Sequence, residues 1–185
     1  MSARRPASAS TPAGTSNNKL NGGTIISNGT LLVNGTLPAG VALTNAAGTL
    51  GGTGIVYSAV VVTNAATLAP GVSSSSGGTL TVSNLTLSAT CTNAFDLGAV
   101  GSSDKVVVNG TTFVWGGVHS ISALAGFGAG TYDLFTYAGT ITTNGTPAAL
   151  LPQSYKGALK VVPGSPGKVE LIVAAGGRGA TVTIR

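Results

Sequence analysis

Asp96, Asp104, Asp133 and Glu170 are the four acids of this 185-residue chain, and with His119 and Cys91 they could in principle carry acid, base, nucleophilic or metal chemistry. Glycoside hydrolysis needs two carboxylates within roughly 9.5 Å of one another. Lys105 directly follows Asp104, and Lys168 lies two residues before Glu170, a pattern of neutralised turn and strand-edge positions rather than of a catalytic pair. One histidine cannot build a metal site without partners, and His119, between Val118 and Ser120, is expected at the surface or half-buried. Cys91 is the sole cysteine, which excludes a disulfide within the chain; it reads as a small buried apolar side chain. No catalytic, metal-binding or cofactor-binding residue is assigned, and no cofactor is expected.

The formal charge of +5 is a weak guide to partners, because Arg4, Arg5, Lys19, Arg178 and Arg185 supply it while residues 20–170 hold four Lys against four acids. Nucleic-acid binding needs clustered cations with stacking aromatics, and neither is gathered here. No 18-residue apolar run is present, so direct membrane insertion is not expected.

Any element that positions these side chains must come from the internal repeat. Thr30-Leu31, Thr49-Leu50, Thr67-Leu68 and Thr86-Leu87 recur at steps of 19, 18 and 19, and an apolar-hydroxyl-Asn triplet ends at Asn28, Asn45, Asn64 and Asn84. A period near 19 is too short for a helical pair. Thr, Val, Ile and Leu punctuated by Gly and Asn mark short strands and tight corners. Such a unit buries its apolar face only against its neighbours. The expected fold is therefore all-β, a right-handed parallel β-helix with coils of about 18–20 residues. Leu31, Leu50, Leu68 and Leu87 would form an internal column and Thr30, Thr49, Thr67 and Thr86 an external one.

Between Lys19 and Asp96 there is no charged residue. In-register stacking sets each side chain over its equivalent, so a repeated charge would oppose itself at about 5 Å, whereas neutral Thr, Ser and Asn hydrogen-bond along the column. Four of the five Asn-x-Thr sequons, Asn28, Asn34, Asn109 and Asn144, are Asn-Gly-Thr; with Asn84 they read better as corners than as glycosylation sites.

Composition changes near residue 93: eight of nine aromatics and all acids follow it. The run Asp104–Trp115 predicts a hairpin at Asn109-Gly110. Gly130–Ile141 and Lys168–Val173 are further strand candidates, separated by a loop holding Pro147, Pro152, Pro163 and Pro166.

The runs "GTLLVNGTL", "ATLAPG" and "GTLTVSNLTL", followed by "AGTYDLFTYAGTI" and "GKVELIV", resemble the autotransporter-associated β-strand repeat proteins of bacterial surfaces over residues 21–175. The resemblance implies a passenger-type β-helix, exported to the cell surface or secreted, with an adhesive or matrix-building role and no catalytic residues. Because "MSARRP" leads into no apolar segment, the export signal is expected outside this chain.

The expected organisation is a disordered head over 1–20, regular solenoid over 21–92, irregular turns closing the stack over 93–175, and a tail over 176–185. The expected function is a rigid, non-enzymatic scaffold whose partners are surface or matrix polysaccharide or further copies of itself. Its contacts would be the Thr and Asn columns, with Trp115 and Tyr137 where exposed. Polysaccharide binding or degradation is the alternative, and an ice- or crystal-binding Thr ladder a third.

Overall fold

The computed structural model describes residues 23–40, 42–72 and 77–176. The expected head and the tail beyond Gly176 lie outside them. The described chain is all-β, and its short strands stack in parallel in three files, a β-solenoid-like arrangement.

The first coil comprises β1 (Thr24–Ile26), β2 (Thr30–Leu32) and β3 (Thr36–Leu37); the second β4 (Leu43–Asn45), β5 (Thr49–Gly52) and β6 (Ile55–Val56). The third comprises β7 (Val60–Val62), β8 (Thr67–Pro70) and β9 (Thr79–Val82), and the fourth β10 (Leu85–Leu87), β11 (Thr92–Leu97) and β12 (Lys105–Val108). In the fifth, β13 (Thr112–Ala123) runs along both the first and second faces before β14 (Gly130–Tyr137). β15 (Thr140–Leu150) lies on β13, and β16 (Tyr155–Val162) and β17 (Gly167–Ala175) form an antiparallel pair joined to β14 through β17. The third face is thus seven strands deep, one more than the other two. Every described β1–β14 contact within a face is parallel, and the switch to antiparallel at β17 ends the coiling there.

Register places Thr30 on Thr49 on Thr67, and Leu31 on Leu50 on Leu68. Leu50 and Leu68 are fully buried while Leu31, in the first coil, is half-buried. Thr86 and Leu87 do not continue these columns. The rung above Thr67 and Leu68 is Thr92 and Asn93, whereas Leu87 is buried on the first face above Val62, Asn45 and Ile26. The physical reason is a longer corner: residues 53–54 join the second and third faces in the second coil, but residues 71–78 do so in the third. The repeated Thr-Leu pair therefore arrives one face early. Along the Thr30 column the steps are 19, 18 and then 25, so the period near 19 holds only for the first coils.

The Asn triplets also part company. Asn45 ends β4 and points inward, donating Nδ2–H to Thr67 O at 2.8 Å and accepting from Gly48 N–H at 3.1 Å. Asn28 and Asn64 are exposed beyond the ends of β1 and β7, and Asn84 is half-buried, accepting from Thr112 N–H at 3.0 Å. The triplet of the second coil is two residues out of phase, because Asn45 itself stacks between Ile26 and Val62.

Asn109-Gly110 is a coil corner, not a hairpin. β12 pairs with β9 and β14, and β13 with β10, β11 and β15, so both strands are already paired. The corner is stitched to the coil below through Gly110 N–H to Ser83 O at 2.6 Å. The segment read as a Pro-rich loop is mostly strand, and Pro147 is accommodated in β15 where residues 145–147 are skipped between Asn144 and Ala148. A bulge frees proline from the ladder.

Coil length and core content change together. The early coils enclose Leu and Val; the longer fourth and fifth coils enclose Phe95, Phe113, Phe135, Trp115 and Tyr137. Phe95 meets Phe135 edge-on at 5.4 Å between centroids, and Phe113 lies 5.1 Å from Phe135. A wider cross-section leaves voids unless larger side chains fill it. Trp115 and Tyr137 are buried core residues, not contacts.

Candidate functional site

The coil expansions share one corner. Residues 71–72 and 77–78, 98–104 and 124–129 all fall between a second-face strand and a third-face strand, and the corners touch: Gly77 abuts Ser103, and Gly126 abuts Ala99. Extra chain repeatedly added at one corner builds a ridge, the usual place for binding on a rigid repeat scaffold.

Asp104 anchors that ridge. Its side chain is buried; Oδ1 accepts from Gly78 N–H at 2.7 Å and Oδ2 from Asp96 N–H at 2.9 Å, while its own N–H donates to Asp96 O. One carboxylate therefore ties the third-coil corner, the end of β11 and the start of β12. Gly71, at φ +92°, lies against it, and a Cβ there would come within 2.7 Å of Oδ1. Burial pushes the Asp104 carboxyl up to about 6, opposed by its two N–H donors and reinforced by the neighbouring Asp96 charge. Within the 98–104 corner, Ser103 Oγ accepts from Gly98 N–H at 3.1 Å.

Between this corner and the outer third face lies a groove of about 240 Å³, lined by Thr79, Ser103, Lys105, Thr131 and Asp133 with Val100 at its side. Lys105 stands beside Thr79 on adjacent strands. Asp133 is paired with Lys168 at 2.7 Å, and both are partly exposed. The bond to Asp133 holds Lys168 above the usual ammonium range. Asp133 and Glu170 face one another across β14 and β17, with Lys160 opposite Glu170 on β16. The two like charges are each set beside a cation, Lys168 on Asp133 and Lys160 opposite Glu170, which offsets the repulsion of carboxylates directly opposed across a ladder.

A second cluster is internal. His119 is fully buried, above Asn93 in the column that begins with Leu31. The expected surface position is thus corrected: the column points into the core from Leu50 and Leu68 onward, and His119 occupies its inward place in the fifth coil. Its Nε2 accepts from Trp115 Nε1–H at 2.9 Å, and Nδ1 has no partner. Burial lowers its pKa to about 4. Asn93 donates to Gly116 O at 3.0 Å, and Cys91 is buried nearby with its thiol pKa raised by burial. Gly117, at φ +86°, permits this packing, since a Cβ would strike Cys91 O and Sγ. The cluster has the chemistry of a satisfied core, apart from Nδ1.

The four acids thus fall into two groups by position, Asp96 with Asp104 and Asp133 with Glu170. Asp104 and Asp133 already hold N–H or ammonium partners, which suits binding and anchoring better than proton transfer. Asparagines in the sequons serve corners: Asn144 donates to Leu87 O, and Asn34 accepts from Thr53 N–H. Sequence reasoning missed the groove because Lys105 and Asp133 come to line it together only through β12–β14 pairing; the clue available was the sudden arrival of charge after residue 95.

No protein-family model and no curated protein matches the chain. Among the described residues no helix is long and apolar enough to cross a membrane.

Proposed function

We propose that this chain is a non-enzymatic structural or adhesive segment of a bacterial exported or cell-surface protein, a right-handed β-solenoid acting as a stiff scaffold. The observation that carries the reading is the stack of parallel coils around a largely apolar interior, with no charged residue from 20 to 95. Parallel β connections are overwhelmingly right-handed. The repeat resemblance to autotransporter-associated β-strand proteins supplies the surface location. Partners of this class would be extracellular polysaccharide or further copies of the chain.

Polysaccharide binding has one observation of its own, the polar groove beside the Asp104-anchored corner. Degradation is less favoured because Asp104 and Asp133 are already engaged. An ice-binding surface is less favoured too: the Thr30–Thr49–Thr67–Thr92 column is single-file, flanked by Leu32, Gly51 and Ala69.

Surface protease treatment of intact source cells, with an antibody against this segment, tests the location. Loss of signal without lysis is expected; protection until lysis contradicts the proposal.

A further inference from the structure

We propose that the groove between the 98–104 corner and the third face binds a single sugar-acid residue, its carboxylate on Lys105 and its hydroxyls on Thr79, Ser103, Thr131 and Asp133. This goes beyond the scaffold reading and stands independently of it.

Charge decides the ligand's sign. Asp133 is neutralised by Lys168 at 2.7 Å, and among the described residues no carboxylate comes within ion-pair distance of Lys105. The groove therefore keeps one half-buried ammonium that no described carboxylate pairs. An ammonium with no protein partner in a concave site attracts an anion most strongly where water is partly excluded.

Shape and lining decide the rest. About 240 Å³ is below the roughly 300–1,000 Å³ of drug-sized sites, so one ring-sized unit is the limit. Three hydroxyls and the remaining lone pairs of Asp133 match a ligand rich in hydroxyls rather than a bare anion. Val100 is 61% exposed at the groove wall and offers an apolar surface to the C–H face of a ring. The wall is preformed: Asp104 fixes the corner to Gly78 and Asp96, Ser103 closes it onto Gly98, and Val100 rests on Gly130, where a Cβ would come within 2.8 Å of its methyl. A preformed wall spares the ordering cost that weakens most loop sites.

The test is a backbone-amide NMR titration of the full chain with sodium D-glucuronate, D-glucose and sodium acetate. With glucuronate, shifts confined to Thr79, Ser103, Lys105 and Thr131 are expected, at a Kd on the order of 1 mM. Glucose and acetate should each bind at least tenfold more weakly. Lys105→Met should weaken glucuronate at least tenfold while leaving the urea midpoint unchanged, and Lys105→Arg should retain binding. Equal binding of glucose removes the charge assignment, equal binding of acetate removes the hydroxyl assignment, and no shift in the groove up to about 50 mM overturns the site.

Discussion

Trp115 and His119 are hydrogen-bonded to one another inside the fifth coil, indole Nε1–H to imidazole Nε2 at 2.9 Å with the ring planes only 16° apart. The bond fixes the tautomer: Nε2 accepts, so Nδ1 carries the proton, and that N–H is buried without an acceptor. Leaving a buried donor unmade costs about 1–3 kcal/mol. His119→Leu should destabilise the protein, since it orphans the Trp115 N–H in turn. The double variant Trp115→Phe/His119→Leu should be more stable than His119→Leu alone, by about 1 kcal/mol in a urea melt.

Asp104 and His119 give opposite pH dependences. The His119 folded pKa of about 4 lies below its ordinary 6.5, so the unfolded chain takes up the proton first and stability falls as pH drops from 6.5 to about 4. The Asp104 folded pKa of about 6 lies above its ordinary 3.8, so the folded chain takes up the proton first and stability rises as pH drops from about 6 toward 3.8. The two slopes oppose each other, and the wild-type urea midpoint should change little between pH 6.5 and 4 on their account. Asp104→Asn should expose the His119 slope, losing on the order of 1–3 kcal/mol from pH 7 to 4. His119→Leu should expose the Asp104 slope and gain stability over the same interval. Parallel profiles for the two variants would contradict the assignment.

Position in the spine sets the cost of truncation. Leu68 is fully buried with Leu50 on the rung below, whereas Leu31 is half-buried in the first coil. Leu68→Ala should cost about 2–5 kcal/mol. Leu31→Ala should cost less than half as much, measured by denaturant unfolding.

Stacked positions should couple through charge. Thr49 and Thr67 are adjacent rungs with outward side chains. Thr49→Asp/Thr67→Asp should be less stable than the sum of the single variants by about 0.5–1 kcal/mol, and added salt should relieve the excess. Thr49→Lys/Thr67→Asp should show coupling of the opposite sign.

How far the fold could be read from sequence depended on coil length. Spacings of 19 and 18 place Thr30, Thr49 and Thr67 in one column because the first corners are short. Beyond Pro70 the 71–78 corner lengthens the coil, and a dipeptide marker cannot register that, which is why Thr86 and Leu87 fall on the first face and not in the expected columns. Asn109-Gly110 misled for a related reason: turn chemistry is local, but whether the flanking strands pair is decided by neighbours a coil away. Asn45, Asn93 and His119 were hidden because polar residues enter this interior by bonding to carbonyls or to Trp115, contacts that no pattern of hydrophobicity reveals. The groove was equally hidden, its residues being drawn from β9, the 98–104 corner, β12 and β14.

Cross-linking tests the stacking most directly. Neighbouring strands lie about 4.8 Å apart, within the Cα range that a disulfide spans. In a Cys91→Ala background, Thr67→Cys/Thr92→Cys should oxidise to an intramolecular disulfide under mild conditions and raise the urea midpoint, because these residues share a column. Thr67→Cys/Thr86→Cys should remain reduced. A disulfide in the second pair and none in the first would show that the chain coils with an unbroken 19-residue period, contradicting the register on which the corner ridge and its groove depend.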